Sequence, residues 1–221
     1  MATRPTQIVT GKVRLSYAHL FKPYAHDPRQ EPKYSVTILI PKTDMATKAD
    51  IDRAIEAAKQ EGMANKWGGQ MPPVVKTPVH DGDGARQNGQ PFGDECKGCW
   101  VLTASSKQAP AVVDQTIQPI LDQSEVYSGM YARVSINFFA YNSSGNNGIG
   151  AGLNNVQKLA DGEPLGGRTT AAEDFGAPIS QPMQQQAATY AQATQNAFGA
   201  APQHSAPAVD PITGTPITPG V

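Results

Sequence analysis

Cysteine is scarce in this 221-residue chain: Cys96 and Cys99 are the only two, and they form a single C-x-x-C. A structural zinc site needs four ligands, and the nearest further candidate, His80, stands alone; a thioredoxin-like pair would sit between a strand and a helix. Ordinary reduced thiols are the simplest reading, with half a metal site and a redox pair left as alternatives. Long apolar runs are missing too. No stretch approaches the roughly 18 continuous apolar residues of a membrane span. The start, MATRPTQ, has no apolar signal-peptide core, so a soluble, cytoplasmic protein without a membrane partner is expected. Catalytic signatures are equally absent. There is no Gly-x-Ser-x-Gly elbow, H-E-x-x-H or Walker loop, and the four histidines, at 19, 26, 80 and 204, suggest no acid–base pair. Neither an enzyme nor a cofactor is expected. In HDGDG, residues 80–84, an EF-hand would need a ligand at Ala85, glycine at Arg86 and glutamate at Phe92, so an Asp-Gly turn is the better reading. Finally, no Lys or Arg occurs from residue 169 onward.

That last absence exposes a charge asymmetry. Up to residue 160, 17 Lys and Arg face 14 Asp and Glu, a balance of +3; from 161 to 221, one cation faces five acids, a balance of −4. The first 42 residues alone carry seven cations against two acids. A mildly basic body with an acidic tail fits a polyanionic partner better than the overall charge of −1 suggests.

What is present reads mainly as β-strand. Residues 8–17 alternate Val9, Val13, Leu15 and Tyr17 with Lys12, Arg14 and Ser16, a strand with a basic outer face. Residues 33–40 alternate again, with Tyr34, Val36, Ile38 and Ile40 on one side and Lys33, Ser35 and Thr37 on the other, until Pro41. One helix is expected over about 47–61, from a Thr47/Asp50 capping box and Ile51, Ile55 and Ala58 at helical spacing. Residues 62–99, rich in Gly, Pro and Asp, read as a long excursion with one short strand at 74–79. Strands resume at 100–105, 111–113 and 131–141. The run Gly148-Ile-Gly-Ala-Gly-Leu fails as a dinucleotide fingerprint because its third glycine is displaced; it reads as a mobile loop beside a ligand or as a hairpin turn. Domain 1–168 is thus a small barrel, and 169–221, crowded with Gln, Ala and Pro, is expected to be a disordered tail.

The stretch YARVSINFFAY, 131–141, carries the functional question. Its even positions are apolar, whereas its odd positions, Tyr131, Arg133, Ser135, Asn137, Phe139 and Tyr141, mix rings, a cation and hydrogen-bonding groups. Such a face either packs under a loop or forms a platform on which nucleic-acid bases stack. Lys12, Arg14 and Lys33 stand on the non-core faces of two other strands. Agreement among three strands favours the platform, with Tyr131, Phe139, Tyr141 and Trp100 as stacking rings. Lys12, Arg14, Lys33, Lys107, Arg133 and Lys158 would be the phosphate contacts.

The segments KYSVTILIPK, HDGDG, TASSKQAPAVVD, VYSGMYARVSINFFAY and NNGIGAGLNNVQKLADGEPLGG, in this order, resemble a family of bacteriophage single-stranded DNA-binding proteins over about residues 6–167. The resemblance implies an oligonucleotide-binding fold, a five-stranded Greek-key barrel with an inserted helix and long loops. It implies a protein that coats single-stranded DNA, with RNA as a weaker ligand, in phage replication, recombination or repair in the host cytoplasm. Many replication single-strand binders recruit partner enzymes through an acidic tail with a terminal phenylalanine; here the chain ends in ITPGV and Glu173-Asp174-Phe175, far from it, is the only similar cluster, so recruitment of phage or host replication and recombination proteins through the tail departs from that pattern. A phage structural or scaffolding protein with a docking tail is the alternative.

Overall fold

The computed structural model describes residues 4–166 apart from 26, 87 and 144. The boundary expected at 168/169 and the tail beyond it lie outside these residues. Eight strands and one helix follow in the order β1 (Gln7–Val9), β2 (Val13–Tyr24), β3 (Lys33–Pro41), α1 (Met45–Asn65), β4 (Val79–Asp81), β5 (Cys99–Ser106), β6 (Ala111–Val113), β7 (Tyr131–Ser143) and β8 (Asn146–Ala160). Among the described residues, no helix is long and apolar enough to cross a membrane.

Five strands close on themselves. β2 pairs with β3, β3 with β5, β5 in parallel with β8, β8 with β7, and β7 returns to β2. Counted among these five, the order is first, second, third, fifth, fourth, with the parallel contact between third and fifth. This is the connectivity of an oligonucleotide-binding barrel. Closure removes the edges that an open sheet would expose. β1 extends the barrel beside β7, β6 beside β8, and β4 beside β5.

Period-2 alternation puts one face of each strand inside. Ala132, Val134, Ile136 and Phe138 of β7 meet Val36, Ile38 and Ile40 of β3 and Leu102 and Ala104 of β5 in the core. α1 adds Ile51, Ala54, Ile55 and Ala58. Its N-cap is Asp44, whose carboxylate accepts from Thr47 N at 3.0 Å and from the Thr47 hydroxyl at 2.6 Å. The helix therefore starts before the expected Thr47, which instead belongs to its first turn.

Three further expectations are corrected. The strand at 8–17 is two strands, broken at Thr10–Lys12, and at Tyr17 the chain bulges with φ 47°, a left-handed backbone. The bulge reverses the parity: Leu15 and Leu20 both point inward, Ser16 is buried and Tyr17 is 60% exposed. Val9 also faces out. The short strand in the excursion lies at Val79–Asp81, not at 74–79; only Lys76 of the earlier segment makes a bridge, to Gly148. Most consequentially, the glycine run is neither loop nor turn. It lies inside β8, paired residue by residue with β7, and the turn itself is at Gly145, φ 78°.

Candidate nucleic-acid interface

β8 tolerates its glycines because β7 supplies the missing side chains. Tyr141, Phe139 and Asn137 are the cross-strand partners of Gly148, Gly150 and Gly152. A Cβ on Gly150 would stand 2.7 Å from Phe139 Cζ, and one on Gly148 only 2.6 Å from the Tyr141 hydroxyl. The rings lie across bare backbone, and Phe139 remains 46% exposed. Trp67 fixes the end of this platform by donating its indole N–H to Tyr141 O at 3.2 Å. The backbone of Lys76 runs beside it, bonded to Asn147 and Ile149.

A second group forms where β2 meets β7. Lys12 Nζ lies 4.4 Å from the centroid of the Tyr131 ring, and Arg14 is the cross-strand partner of Tyr131. Arg14 is partly committed, donating to Glu163 O at 2.7 Å and Gly129 O at 3.3 Å. Arg133, further along β7, donates from Nε to Thr10 O at 3.3 Å. It lines an open groove of about 320 Å3 with Val9, Val113 and Ile117.

Lys33 and Lys107 are elsewhere, at the far end of the β2–β3 hairpin. Lys107 pairs with Glu31 at 2.5 Å. That hydrogen bond, together with the charges of Lys107 and Lys33, holds the Glu31 carboxyl below its ordinary range. Tyr24, the cross-strand partner of Lys33, stacks on His19 with ring centroids 4.5 Å apart. Lys158 is largely covered and sits 2.9 Å from Asp161 and 3.5 Å from Glu125. Burial pulls its pKa down, but the Asp161 hydrogen bond and the two negative charges outweigh this, so the net shift is upward. Trp100 shares the inward parity of Leu102 and Ala104; Lys42 and Lys48 cover its ring at 5.0 and 4.9 Å.

Pairing sorts the cations. Arg29, Lys42, Lys48, Arg53, Lys59, Lys97, Lys107 and Lys158 each hold a carboxylate. Arg4, Lys12, Arg14, Lys22, Lys33, Lys66, Lys76, Arg86 and Arg133 hold none among the described residues; of these, Arg14, Lys22, Lys33 and Arg133 lie on barrel strands and Lys12 in the turn before β2. A cation without a carboxylate can take a phosphate without first breaking an ion pair.

Sequence reasoning missed Tyr17, Arg86 and Phe92. For Tyr17 a signal existed: inward leucines at 15 and 20 cannot share one face of an unbroken strand, so a bulge must lie between them. Arg86 and Phe92 carry no local signal, because only the folding of the excursion decides where they go. The excursion is clasped by the HDGDG turn, whose Asp81 and Asp83 carboxylates both reach Lys42 Nζ at 2.6 Å. Asp83 also accepts from Gly98 N at 2.9 Å.

Comparison with known proteins matches this architecture. A family profile described as Enterobacter phage Enc34, ssDNA-binding protein, covers residues 6–188. The single-stranded DNA-binding protein from bacteriophage Enc34, solved in complex with ssDNA, is 32% identical with a TM-score of 0.62, over 73% of this chain and 90% of that one. Protein p50 of Acyrthosiphon pisum secondary endosymbiont phage 1 is 29% identical over 180 residues, 76% of this chain and 92% of the relative. Gp2.5, a single-stranded DNA binding protein encoded by bacteriophage T7, shares the fold at 16% identity, with a TM-score of 0.51 over 80% of this chain and 97% of its own. With a barrel of oligonucleotide-binding connectivity and a family match over most of its length, the chain belongs to the Enc34 family of phage single-stranded DNA-binding proteins.

Proposed function

We propose that this chain binds single-stranded DNA with little sequence preference and shields it where phage DNA replication, recombination or repair exposes it. The observation that carries this reading is the likeness, at 32% identity over 73% of the chain, to a protein solved with ssDNA bound. Phe139 and Tyr141, laid over the β8 glycines, and Tyr131 beside Lys12 are the stacking surfaces. Lys12, Arg14, Lys33 and Arg133 neutralise phosphates. Lys107 and Lys158 contribute less, because each must first give up a carboxylate. Trp100 contributes least, being turned inward beneath two ammonium groups. Binding needs no chemistry: rings take the π-faces that every base offers, and cations take the backbone.

Fluorescence anisotropy with labelled dT, rU and duplex oligomers across ionic strengths tests the reading. Tight binding to dT, weaker binding to rU and duplex, and a log–log salt slope of about −0.7 per phosphate contact are expected. A scaffold would assemble whether or not DNA is present, and indifference to dT at low salt would defeat the proposal.

A further inference from the structure

Asparagine followed by glycine is a point at which a chain can attack itself, because a glycine with no Cβ lets its backbone nitrogen swing onto the preceding side-chain amide. The sequence holds two such pairs, Asn88-Gly89 in the excursion between β4 and β5 and Asn147-Gly148 in β8. Their surroundings differ. Ala85 bridges Pro91, Arg86 N donates to Gln90 O at 2.7 Å and Gly89 N to Arg86 O at 2.8 Å, so a short hairpin loop turns through Gly89 at φ 81°. Asn88 and Gly89 are exposed, and nothing stands within 4 Å of the place a Gly89 Cβ would take. Asn88 Oδ1 accepts from Gln90 N at 3.1 Å. That bond curls the side chain along its own backbone past Gly89 N and draws electron density from its amide carbon. The contact that opposes attack, Gly89 N on Arg86 O, belongs to a loop fastened by a few exposed backbone bonds, and such loops open at little cost. Asn147-Gly148 is held from two sides: β7 pairs Asn142 with Asn147 and Tyr141 with Gly148, and Asn147 O accepts from Lys76 N at 3.1 Å.

We infer that Asn88 is a site of spontaneous deamidation, which installs a carboxylate two residues from Arg86. Gly89 N loses its proton and attacks Asn88 Cγ; the new N–Cγ bond forms as the Cγ–Nδ2 bond breaks, and Nδ2 leaves as ammonia with that proton. Water then opens the succinimide at either carbonyl and leaves aspartate or isoaspartate, a negative charge where the chain had none. The consequence rests on the binding function proposed above and falls on Arg86. Among the described residues this guanidinium holds no carboxylate, and it lies 5.2 Å from the centroid of the Phe92 ring. A new carboxylate within reach would hold it as Glu31 holds Lys107, and so remove a cation from those that meet a phosphate without first breaking an ion pair. Asn147 stays an amide, because the pairing of β8 keeps Gly148 N from its side chain.

The test ages the full chain in mildly alkaline buffer at body temperature, beside Asn88→Gln, and follows both Asn-Gly pairs by peptide mass spectrometry with isoaspartate detection. The mass gain of an amide becoming an acid is expected at Asn88 at least about 10-fold faster than at Asn147, and not at position 88 of the variant. In urea, where the fold no longer separates the two pairs, their rates should converge. A silent Asn88, or equal rates in the folded chain, overturns the inference, and a preference that persists unchanged in urea shows that the fold does not make it. Anisotropy on labelled oligo-dT then reads the consequence. Fully aged wild type and fresh Asn88→Asp should share a log–log salt slope shallower than that of fresh wild type by about 0.7, one phosphate contact, while aged Asn88→Gln keeps the slope of fresh wild type. If the mass gain appears and the slope stays, the modification stands and its effect on Arg86 falls. Fresh wild type that ignores dT overturns the binding function and that effect together, and leaves the modification to be judged by mass alone.

Discussion

Phe139 fills the space of an absent side chain beside Gly150 and still stays 46% exposed, as the proposed stacking requires. Because it is 46% exposed, Phe139→Ala should change stability little and weaken ssDNA binding by about 1 to 3 kcal/mol, read by anisotropy beside a thermal melt. Ile117 is a purer case of strain, a β-branched residue at φ 65° and 72% exposed. Ile117→Gly should raise the urea midpoint, with a gain of about 1 kcal/mol from the relieved left-handed backbone. At Cys96, burial first and the neighbouring Glu95 charge second push the thiol up to about 11. Alkylation at pH 8 should consequently be slow until the fold opens, which mass spectrometry of iodoacetamide-treated protein can follow. The side chains of β7 were legible because its alternation runs unbroken from Tyr131 to Tyr141. Tyr17 was misassigned because one bulged residue reverses every face after it.

At the scale of elements, β8 was the largest omission. Glycine weakens strand propensity and offers no side chain to alternate, so three glycines at every second position erase the pattern that betrays a strand. The pattern is completed across the hairpin, by residues of β7 that stand opposite the glycines once the chain has turned at Gly145. Two glycine substitutions separate close approach to a side chain from close approach to backbone. Gly150→Ala places a Cβ 2.7 Å from Phe139 Cζ, and the exposed ring can swing away. Stability should hold while ssDNA affinity falls as it does in Phe139→Ala. Gly82→Ala places its Cβ 2.0 Å from Cys96 O, a backbone atom that cannot swing. Overpacking of this kind costs about 1 to 3 kcal/mol, measurable by urea denaturation.

At the scale of the whole molecule, the barrel closes around its core while the excursion is fastened to its outside by the Lys42 clasp and by Phe92 and Cys96 packed on Leu39 and Val101. Hydrogen bonds from Lys42 hold the Asp81 and Asp83 carboxyls below the ordinary aspartate value of 3.8. A lowered folded-state pKa means stabilisation that is complete above the ordinary value and is lost as the pH falls through the lower, folded value. Acidification past that point should therefore loosen the clasped end of the excursion, and Lys42→Met should flatten the loss. Hydrogen exchange of residues 82–98 at descending pH would show it, and equal protection in both proteins would argue against the clasp. The sequence by itself determined the strands β3, β5, β6 and β7, which face of β7 is apolar, where the single helix lies and that the body is basic. These properties are written in near neighbours, at periods of two or about four residues. Tertiary structure alone decided that five strands close and that Arg86 and Phe92 arrive above β3. It also decided which lysines are already spent on carboxylates. Each of those outcomes depends on partners far apart along the chain, such as Lys42 with Asp81 or Lys107 with Glu31, whose meeting only the closed barrel and its clasped excursion bring about.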